Sequence, residues 1–129
     1  MNEAVRFGVL KPDAGELGIM HLGQAGFMFT TGNGVLMVDP YLSNSVEKLV
    51  GPEARRMWWN SFMISDLRPD AIAITHDHLD HLDPETLPIL EQVALPVMYL
   101  GPGSVIEHLR QLNFRRAALT CMERGDAAQ

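Results

Sequence analysis

The stretch AIAITHDHLDHLDPE, residues 71–85, joins a short apolar run to three of the five histidines in this 129-residue chain. AIAIT, residues 71–75, is apolar on both faces and rich in isoleucine, which predicts a strand covered on two sides. The histidines begin where that strand ends, at the edge where open α/β sheets tend to carry their chemistry. Asp83 then predicts the N-cap of a helix that runs to about Glu91. The stretch therefore predicts a strand, a polar loop and a helix in succession.

The polar loop is dense in side chains that bind transition metals. His76 and His78 are two apart on an extended segment, so their side chains project the same way and can bind one ion. Asp80 and His81 lie past the bend and can face a second ion. Imidazole and carboxylate suit zinc, manganese or iron rather than calcium, without selecting among those three metals. The alternative is a solvated loop at the entry to a helix. Three histidines at the end of a buried strand make this alternative less favoured.

The remaining strand patterns predict a mixed sheet. Residues 16–23 and 26–40 have strand patterns, and Asn33-Gly34 breaks the second with a strong hairpin signal, so three antiparallel strands are expected. Strands and helices then alternate, with further strands predicted at residues 96–101 and 116–122. This order indicates the α/β class, with a sheet that starts antiparallel and continues through crossover helices.

Two further helices are predicted from side-chain spacing. EARRMWWNSF, residues 53–62, places its apolar residues at helical intervals inside a long connection. Ser104 and Glu107 have the spacing of a capping box for a second helix. The charged and aromatic residues of the first helix could instead line a substrate entrance, although an amphipathic helix that packs its tryptophan is favoured. These residues are Arg55, Arg56, Trp58 and Trp59.

The composition is that of a folded domain, with 47% hydrophobic and 20% charged residues. Ten basic and sixteen acidic residues give a net charge of −6, which disfavours nucleic acid as a partner. The single cysteine, Cys121, cannot form an internal disulfide. No apolar run has the length of a signal peptide or a membrane span, so a cytoplasmic location away from the membrane is predicted.

HDHLDH, residues 76–81, matches the HxHxDH signature of the metallo-β-lactamase superfamily. HLGQAGF ahead of the hairpin, VDPYLS at its exit and PDAIAITHDHLDH also resemble that superfamily. The set is most similar to the branch that contains L-ascorbate-6-phosphate lactonases and related metal-dependent hydrolases. The resemblance extends over about residues 17–125, nearly the whole chain.

The resemblance implies roles for individual residues. His76 and His78 would help hold the first of two divalent metal ions, zinc or manganese with iron as a third candidate, and Asp80 and His81 the second. A hydroxide shared by the metals would attack a small anionic lactone, ester or phosphoester, because a bound divalent ion lowers the pKa of water to about 7. Asp80 would also orient that hydroxide or relay its proton. Asp39 resembles an aspartate that in this superfamily lies close to the metal-binding loop. It would hydrogen-bond to a metal ligand or have a structural role.

The superfamily fold also implies that part of the site is missing. Its members build a four-layer αββα sandwich from two similar halves, and this sequence resembles the first αβ half, so residues 1–129 are expected to form one truncated domain. The other half would supply a further histidine to each metal. His108 lies inside a predicted helix and is interpreted as a plain surface or core histidine. We therefore expect a fragment of a longer hydrolase, or a chain that pairs with another copy or a complementary C-terminal half.

Packing leads to the same expectation. The predicted helices can cover one face of the sheet, and the other face is expected to expose the apolar side of Ile72 and Ile74. An exposed apolar face of that size would drive association.

Two other functions are compatible with the sequence. A phosphodiesterase or ribonuclease of the same fold would need a basic patch outside these residues. A catalytically inactive, truncated module would bind metal weakly or serve in assembly only.

Overall fold

The computed structural model describes residues 11–94, 96–114 and 118–128. Six strands form a single sheet in the order in which they occur in the chain. The first three are antiparallel, and the third to the sixth run parallel to one another. The predicted α/β class and mixed sheet are therefore confirmed. The strands are β1 (Gly18–Gly23), β2 (Gly26–Thr31), β3 (Gly34–Val38), β4 (Ala71–Ala73), β5 (Met98–Gly101) and β6 (Ala118–Cys121).

Three α-helices join the parallel strands, as the crossover rule requires. They are α1 (Ser45–Val50), which precedes β4, α2 (Thr86–Val93), which joins β4 to β5, and α3 (Gly103–Gln111), which joins β5 to β6. Two 3₁₀ turns, Pro52–Ala54 and Ile64–Asp66, complete the long connection. Across the three described ranges, no helix has the length and apolar character needed to cross a membrane.

The helix predicted over residues 53–62 is wrong. A 3₁₀ turn covers Pro52–Ala54, and residues 55–63 form neither helix nor strand. The helix of this connection is α1, which ends at Val50 with Gly51 as its C-cap. Arg56 explains the departure from the helical pattern, because its side chain turns inward and donates hydrogen bonds to two main-chain carbonyl groups. Trp58 is 53% exposed, so the expected packing of a tryptophan against the core does not occur there.

The predicted capping box is also wrong. Helix α3 begins at Gly103 with Pro102 as its N-cap, and the N–H of Gly103 donates to Glu123 Oε1 at 3.2 Å rather than to a local capping side chain. Ser104 therefore lies inside the first turn. Pro102 has the extended backbone conformation that is usual for an N-cap residue.

The core lies between one face of the sheet and helices α2 and α3. Pairing in register aligns Met28, Met37, Ile72 and Tyr99 across four strands on this face, and each is at most 1% exposed. The Tyr99 hydroxyl donates to the carbonyl oxygen of Leu87 on α2 at 3.4 Å. Further fully buried residues come from the helices, namely Leu87, Leu90, Val105 and Leu109. This buried layer is the helix-covered face.

The opposite face of the sheet carries apolar side chains, and no layer of helices from the described residues lies over them. Strand alternation places them in rows across β1 to β5, and all are partly or largely exposed. We call them the open face: Ile19, Phe27, Phe29, Leu36, Val38, Ala71, Ala73, Met98 and Leu100. The expectation that Ile72 and Ile74 lie there is wrong, because they are 0% and 2% exposed on the helix-covered face. Their neighbours Ala71 and Ala73 alternate with them and occupy the open face instead.

We expect this chain to associate in dilute solution through the open face. Phe29 lies between Ile19 and Leu36 on neighbouring strands, so Phe29→Glu places a charge in the middle of the apolar rows. The variant is expected to shift the chain toward monomer, because burying an unpaired carboxylate is unfavourable. Size-exclusion chromatography with light scattering measures the shift. Leu49→Glu on α1, at a side chain 67% exposed, is the control, and a wild-type chain that is already monomeric would contradict the expectation.

Candidate metal centre

The candidate site is built where parallel strands β3 and β4 end side by side. Asp39 directly follows β3, and Thr75 and His76 follow β4 after one further residue. The N–H of Asp39 donates to the carbonyl oxygen of Ala73 at 2.9 Å, which joins the two strand ends. Sheet pairing thus brings residues that are 36 positions apart in the chain into contact.

Asp39 is the polar centre of this strand edge. Its side chain is nearly buried, and its backbone has a φ of 46° in the left-handed region, which aspartate tolerates better than most residues. The carboxylate accepts hydrogen bonds from the Thr75 N–H at 2.8 Å and the Thr75 hydroxyl at 2.7 Å. It also accepts one from His81 Nδ1 at 2.8 Å. Gly26 permits the fold here, since a Cβ at that position would lie 2.9 Å from the carbonyl oxygen of Asp39.

These contacts determine which nitrogen two histidines present. The ionised Asp39 carboxylate only accepts, so the single hydroxyl proton of Thr75 is donated to it. Thr75 Oγ1 lies 2.9 Å from His76 Nδ1 and must then accept from that nitrogen. His81 Nδ1 likewise carries the proton that it donates to Asp39. Both rings therefore keep Nδ1 engaged and leave Nε2 as the nitrogen with a free lone pair.

The three histidines of the loop lie against one another. The ring centroids of His76 and His81 are 3.9 Å apart, and those of His76 and His78 are 4.5 Å apart. His81 Nε2 is 3.6 Å from Asp80 Oδ2, whose side chain is 46% exposed. The loop holds this shape because the N–H groups of His81 and Leu82 donate to the carbonyl oxygen of His78 at 2.9 and 2.7 Å. All four predicted ligands are thus gathered at one strand edge.

The loop residues have the chemistry of transition-metal ligands, and His81 has the orientation that such a ligand shows. A metal-binding histidine normally donates its other ring N–H to a carboxylate or a carbonyl oxygen, and the Asp39–His81 pair has this arrangement. Within residues 11–94, 96–114 and 118–128, however, no three histidine, cysteine or acidic side chains are grouped so that they could hold one ion. His108 is partly buried on α3, and within the described ranges no ring contact or hydrogen bond joins it to the loop histidines. The metal roles of His76, His78, Asp80 and His81 stay predictions, as do those of Asp80 in catalysis and Asp39 in support.

Asp83 is a residue whose importance the sequence pattern did not reveal. It was expected to cap α2, but it lies three residues before the helix and is completely buried. Its carboxylate accepts from the N–H groups of Leu42, Ser43 and Glu85, at 3.3, 3.1 and 3.0 Å. Three hydroxyl groups also donate to it, those of Ser43, Ser45 and Thr86. The cluster of serines in YLSNS was the sequence signal that could have indicated this carboxylate site.

The sheet order and the histidine–aspartate loop at its carboxyl edge define an α/β domain of the metallo-β-lactamase fold class. A family model described as "Beta-lactamase superfamily domain" matches residues 18–124, and the chain belongs to that family. The resemblance to the metallo-β-lactamase superfamily is thereby confirmed.

Curated relatives match part of the chain. A UPF0173 metal-dependent hydrolase of Pyrobaculum arsenaticum is 32% identical over 76 residues, which are 59% of this chain and 29% of that protein. A protein of the same description from Methanosarcina mazei is 36% identical over 67 residues, covering 52% of this chain and 24% of that protein. The matched region is thus less than a third of the length of either relative.

Solved structures agree on the fold. CmlA, a diiron β-hydroxylase of Streptomyces venezuelae, is 22% identical and superposes with a TM-score of 0.61, over 92% of this chain and 23% of that chain. YhfI of Bacillus subtilis, a metallo-β-lactamase fold protein, is 23% identical with a TM-score of 0.52, over 92% of this chain and 43% of that chain. At these identities the likeness shows the fold alone.

We predict that Asp83→Asn lowers the free energy of unfolding by roughly 2–3 kcal/mol, because one acceptor oxygen becomes a donor facing buried donors. Urea denaturation followed by circular dichroism measures the change. Asp126→Asn is the matched control, since Asp126 is exposed and accepts one N–H, from Glu123, and a change within about 0.5 kcal/mol is expected there. Equal destabilisation of the two variants would contradict the role given to Asp83.

Proposed function

We propose that this chain contributes the metal-binding loop of a metal-dependent hydrolase that acts on a small anionic lactone, ester or phosphoester. The observation that carries the proposal is the hydrogen bond from His81 Nδ1 to the buried Asp39 carboxylate, at 2.8 Å. It leaves His81 Nε2 beside Asp80, and the ring of His81 lies against that of His76, which also contacts the ring of His78. The description of the curated relatives as metal-dependent hydrolases supports the same class.

In this proposal each residue of the loop has a defined task. His76 and His78 hold a first divalent ion, zinc or manganese with iron as a third candidate, and Asp80 and His81 hold a second. When bound, such an ion polarises a carbonyl or phosphoryl oxygen and lowers the pKa of water. Asp39 keeps the His81 ring in one orientation, and Asp80 orients the attacking water and accepts its proton.

The choice of a lactone or ester over other substrates rests on the similarity of the motifs to the ascorbate-phosphate lactonase branch. The geometry adds that Asp80 is 46% exposed, so a substrate can reach it from solvent. Further ligands would come from a region outside these residues or from a partner chain, because a catalytic zinc site typically has three protein ligands.

A second candidate is a module that binds metal weakly without catalysis. The observation that favours it is that no three candidate ligands in the described residues could hold one ion. A nuclease or phosphodiesterase of the same fold is less favoured, because the net charge is −6.

The proposal is tested by metal content and hydrolysis measured on the same preparations. Wild type and the double variant His78→Ala, Asp80→Ala are dialysed against Zn²⁺ or Mn²⁺, and bound metal is measured by inductively coupled plasma mass spectrometry. We expect the double variant to retain metal at least about tenfold more weakly, since one ligand of each proposed pair is lost. Hydrolysis of p-nitrophenyl acetate and of a phosphorylated lactone is expected to fall in parallel.

His108→Ala is the matched control, because it removes a histidine from helix α3 without touching the loop. It should retain the metal content and activity of wild type. Equal metal content and equal activity in wild type and the double variant would rule out the assigned ligand roles. Metal binding by wild type without hydrolysis of either substrate would favour the non-catalytic module.

A further inference from the structure

A cavity of about 630 Å³ lies beside the edge strand β1, against the irregular segment 56–62. This volume falls within the roughly 300–1,000 Å³ of small-molecule sites. The segment forms neither helix nor strand. Several of its consecutive side chains therefore line the cavity together with residues of β1. We call this space the β1 cavity. The lining side chains used below are His21, Arg56, Trp58, Ser61 and Phe62.

Arg56 brings a buried positive charge to the wall of the β1 cavity. The residue is 3% exposed, and its guanidinium donates to the carbonyl oxygens of Tyr41 at 2.7 Å and Leu22 at 3.2 Å. It also donates to Asn60 Oδ1 at 3.4 Å, so these acceptors are all neutral. The buried Nε has no hydrogen-bond partner in the described structure. The rings of Tyr41 and Trp59 lie 5.4 and 4.8 Å from the guanidinium carbon. Since none of the hydrogen-bond acceptors is a carboxylate, an anion at the guanidinium would add a charge-assisted hydrogen bond.

The pKa of Arg56 agrees with this description. Burial lowers the pKa of its guanidinium, while Tyr41 and Asp83 act in the opposite direction with smaller effects. An anionic ligand in the cavity would offset part of the unfavourable burial of the charge.

Aromatic rings form the apolar part of the same wall. Trp58 is 53% exposed, and its ring is parallel to the imidazole of His21 at a centroid distance of 6.3 Å. His21 Nε2 donates to the carbonyl oxygen of Gln24 at 2.9 Å, which fixes the ring and leaves Nδ1 as an acceptor. Phe62 continues this apolar surface toward the core. A half-exposed tryptophan offers a flat face on which a planar group can stack.

The β1 cavity and the histidine loop, residues 76–81, lie at the same end of the sheet. Gly23 lines the cavity and pairs with Gly26, and Gly26 packs against the carbonyl of Asp39. Gly23 has a φ of 93°, and a Cβ there would lie 2.7 Å from Arg56 Nη2 and 3.2 Å from the Trp58 ring. Glycine at this position therefore lets Arg56 and Trp58 approach the end of β1.

We propose that the β1 cavity binds a small organic anion, with its phosphate or carboxylate group toward Arg56 and its planar apolar body against Trp58 and His21. The cavity would hold the part of the substrate that does not react, next to the loop that carries the chemistry. The identification of this ligand with the substrate rests on the proposed function, whereas the binding itself needs no metal and no turnover.

The test is calorimetric titration of the chain with phenyl phosphate in the presence of EDTA. Benzoate, inorganic phosphate and benzyl alcohol are titrated in parallel to separate the anion from the ring. We expect saturable binding of phenyl phosphate or benzoate, at least about tenfold tighter than the binding of inorganic phosphate or benzyl alcohol. Inorganic phosphate lacks the ring, and benzyl alcohol lacks the anionic group. Fluorescence of Trp59→Phe, which keeps Trp58 as its one tryptophan, is expected to change with the same midpoint.

Variants locate the binding. Arg56→Gln is expected to weaken phenyl phosphate at least about tenfold, and Arg55→Gln is the matched control, because Arg55 is exposed and pairs with Glu47. Arg56 also holds Leu22 and Tyr41, so a second variant spares those contacts. Ser61→Trp fills the cavity from an exposed position and is expected to abolish binding, while Ser65→Trp, on the Ile64–Asp66 turn outside the cavity lining, is expected to leave it unchanged.

The outcomes separate this inference from the proposed function. It is overturned if no aromatic anion binds, if benzyl alcohol or inorganic phosphate binds as tightly, or if Ser61→Trp leaves the affinity unchanged. Binding in EDTA by a chain that takes up no metal would support the cavity and remove the hydrolase proposal. Metal-dependent hydrolysis without binding in the β1 cavity would do the reverse.

Discussion

Three hydrogen bonds to the buried carboxylate of Asp39 join the end of β3 to the segment that follows β4. A charge that is almost removed from water is stable only when donors surround it, and here the donors are Thr75 and His81. Through the Thr75 hydroxyl the same network reaches His76. The orientation of two imidazoles therefore depends on one acceptor, which the parallel pairing of β3 and β4 brings into place.

Asp83 repeats this principle at the other end of the loop. Asp83 follows the histidines in the chain, and its carboxylate accepts hydrogen bonds from the segment Leu42–Ser45. The carboxylate of Asp39 accepts hydrogen bonds from Thr75 and His81 in the same way. The connection after β3 is thus bonded to both ends of the histidine segment by two buried carboxylates. A loop held at both ends keeps its side chains in place without needing a helix or strand of its own, and such preorganisation is what a metal site requires.

The sequence predicted those parts of the structure that depend on local pattern. Alternating apolar residues and Asn33-Gly34 predicted the hairpin, and the histidines at the end of an isoleucine-rich strand indicated the site. It did not reveal which face of β4 the helices cover, because AIAIT is apolar on both faces and only packing against α2 and α3 distinguishes Ile72 from Ala73. The inward turn of Arg56 was also hidden, because its acceptors are main-chain carbonyls distant in the chain.

We propose that Asp39 orients His81 for a metal, and calorimetric titration of Asp39→Asn with zinc tests this role. The amide preserves the shape of the side chain but removes the charged acceptor that faces His81 Nδ1. We expect Asp39→Asn to bind zinc about 10–100-fold more weakly than wild type, as is typical when the group supporting a metal-binding histidine is lost, and to retain its circular dichroism spectrum. Unchanged zinc affinity in a folded Asp39→Asn chain would contradict it.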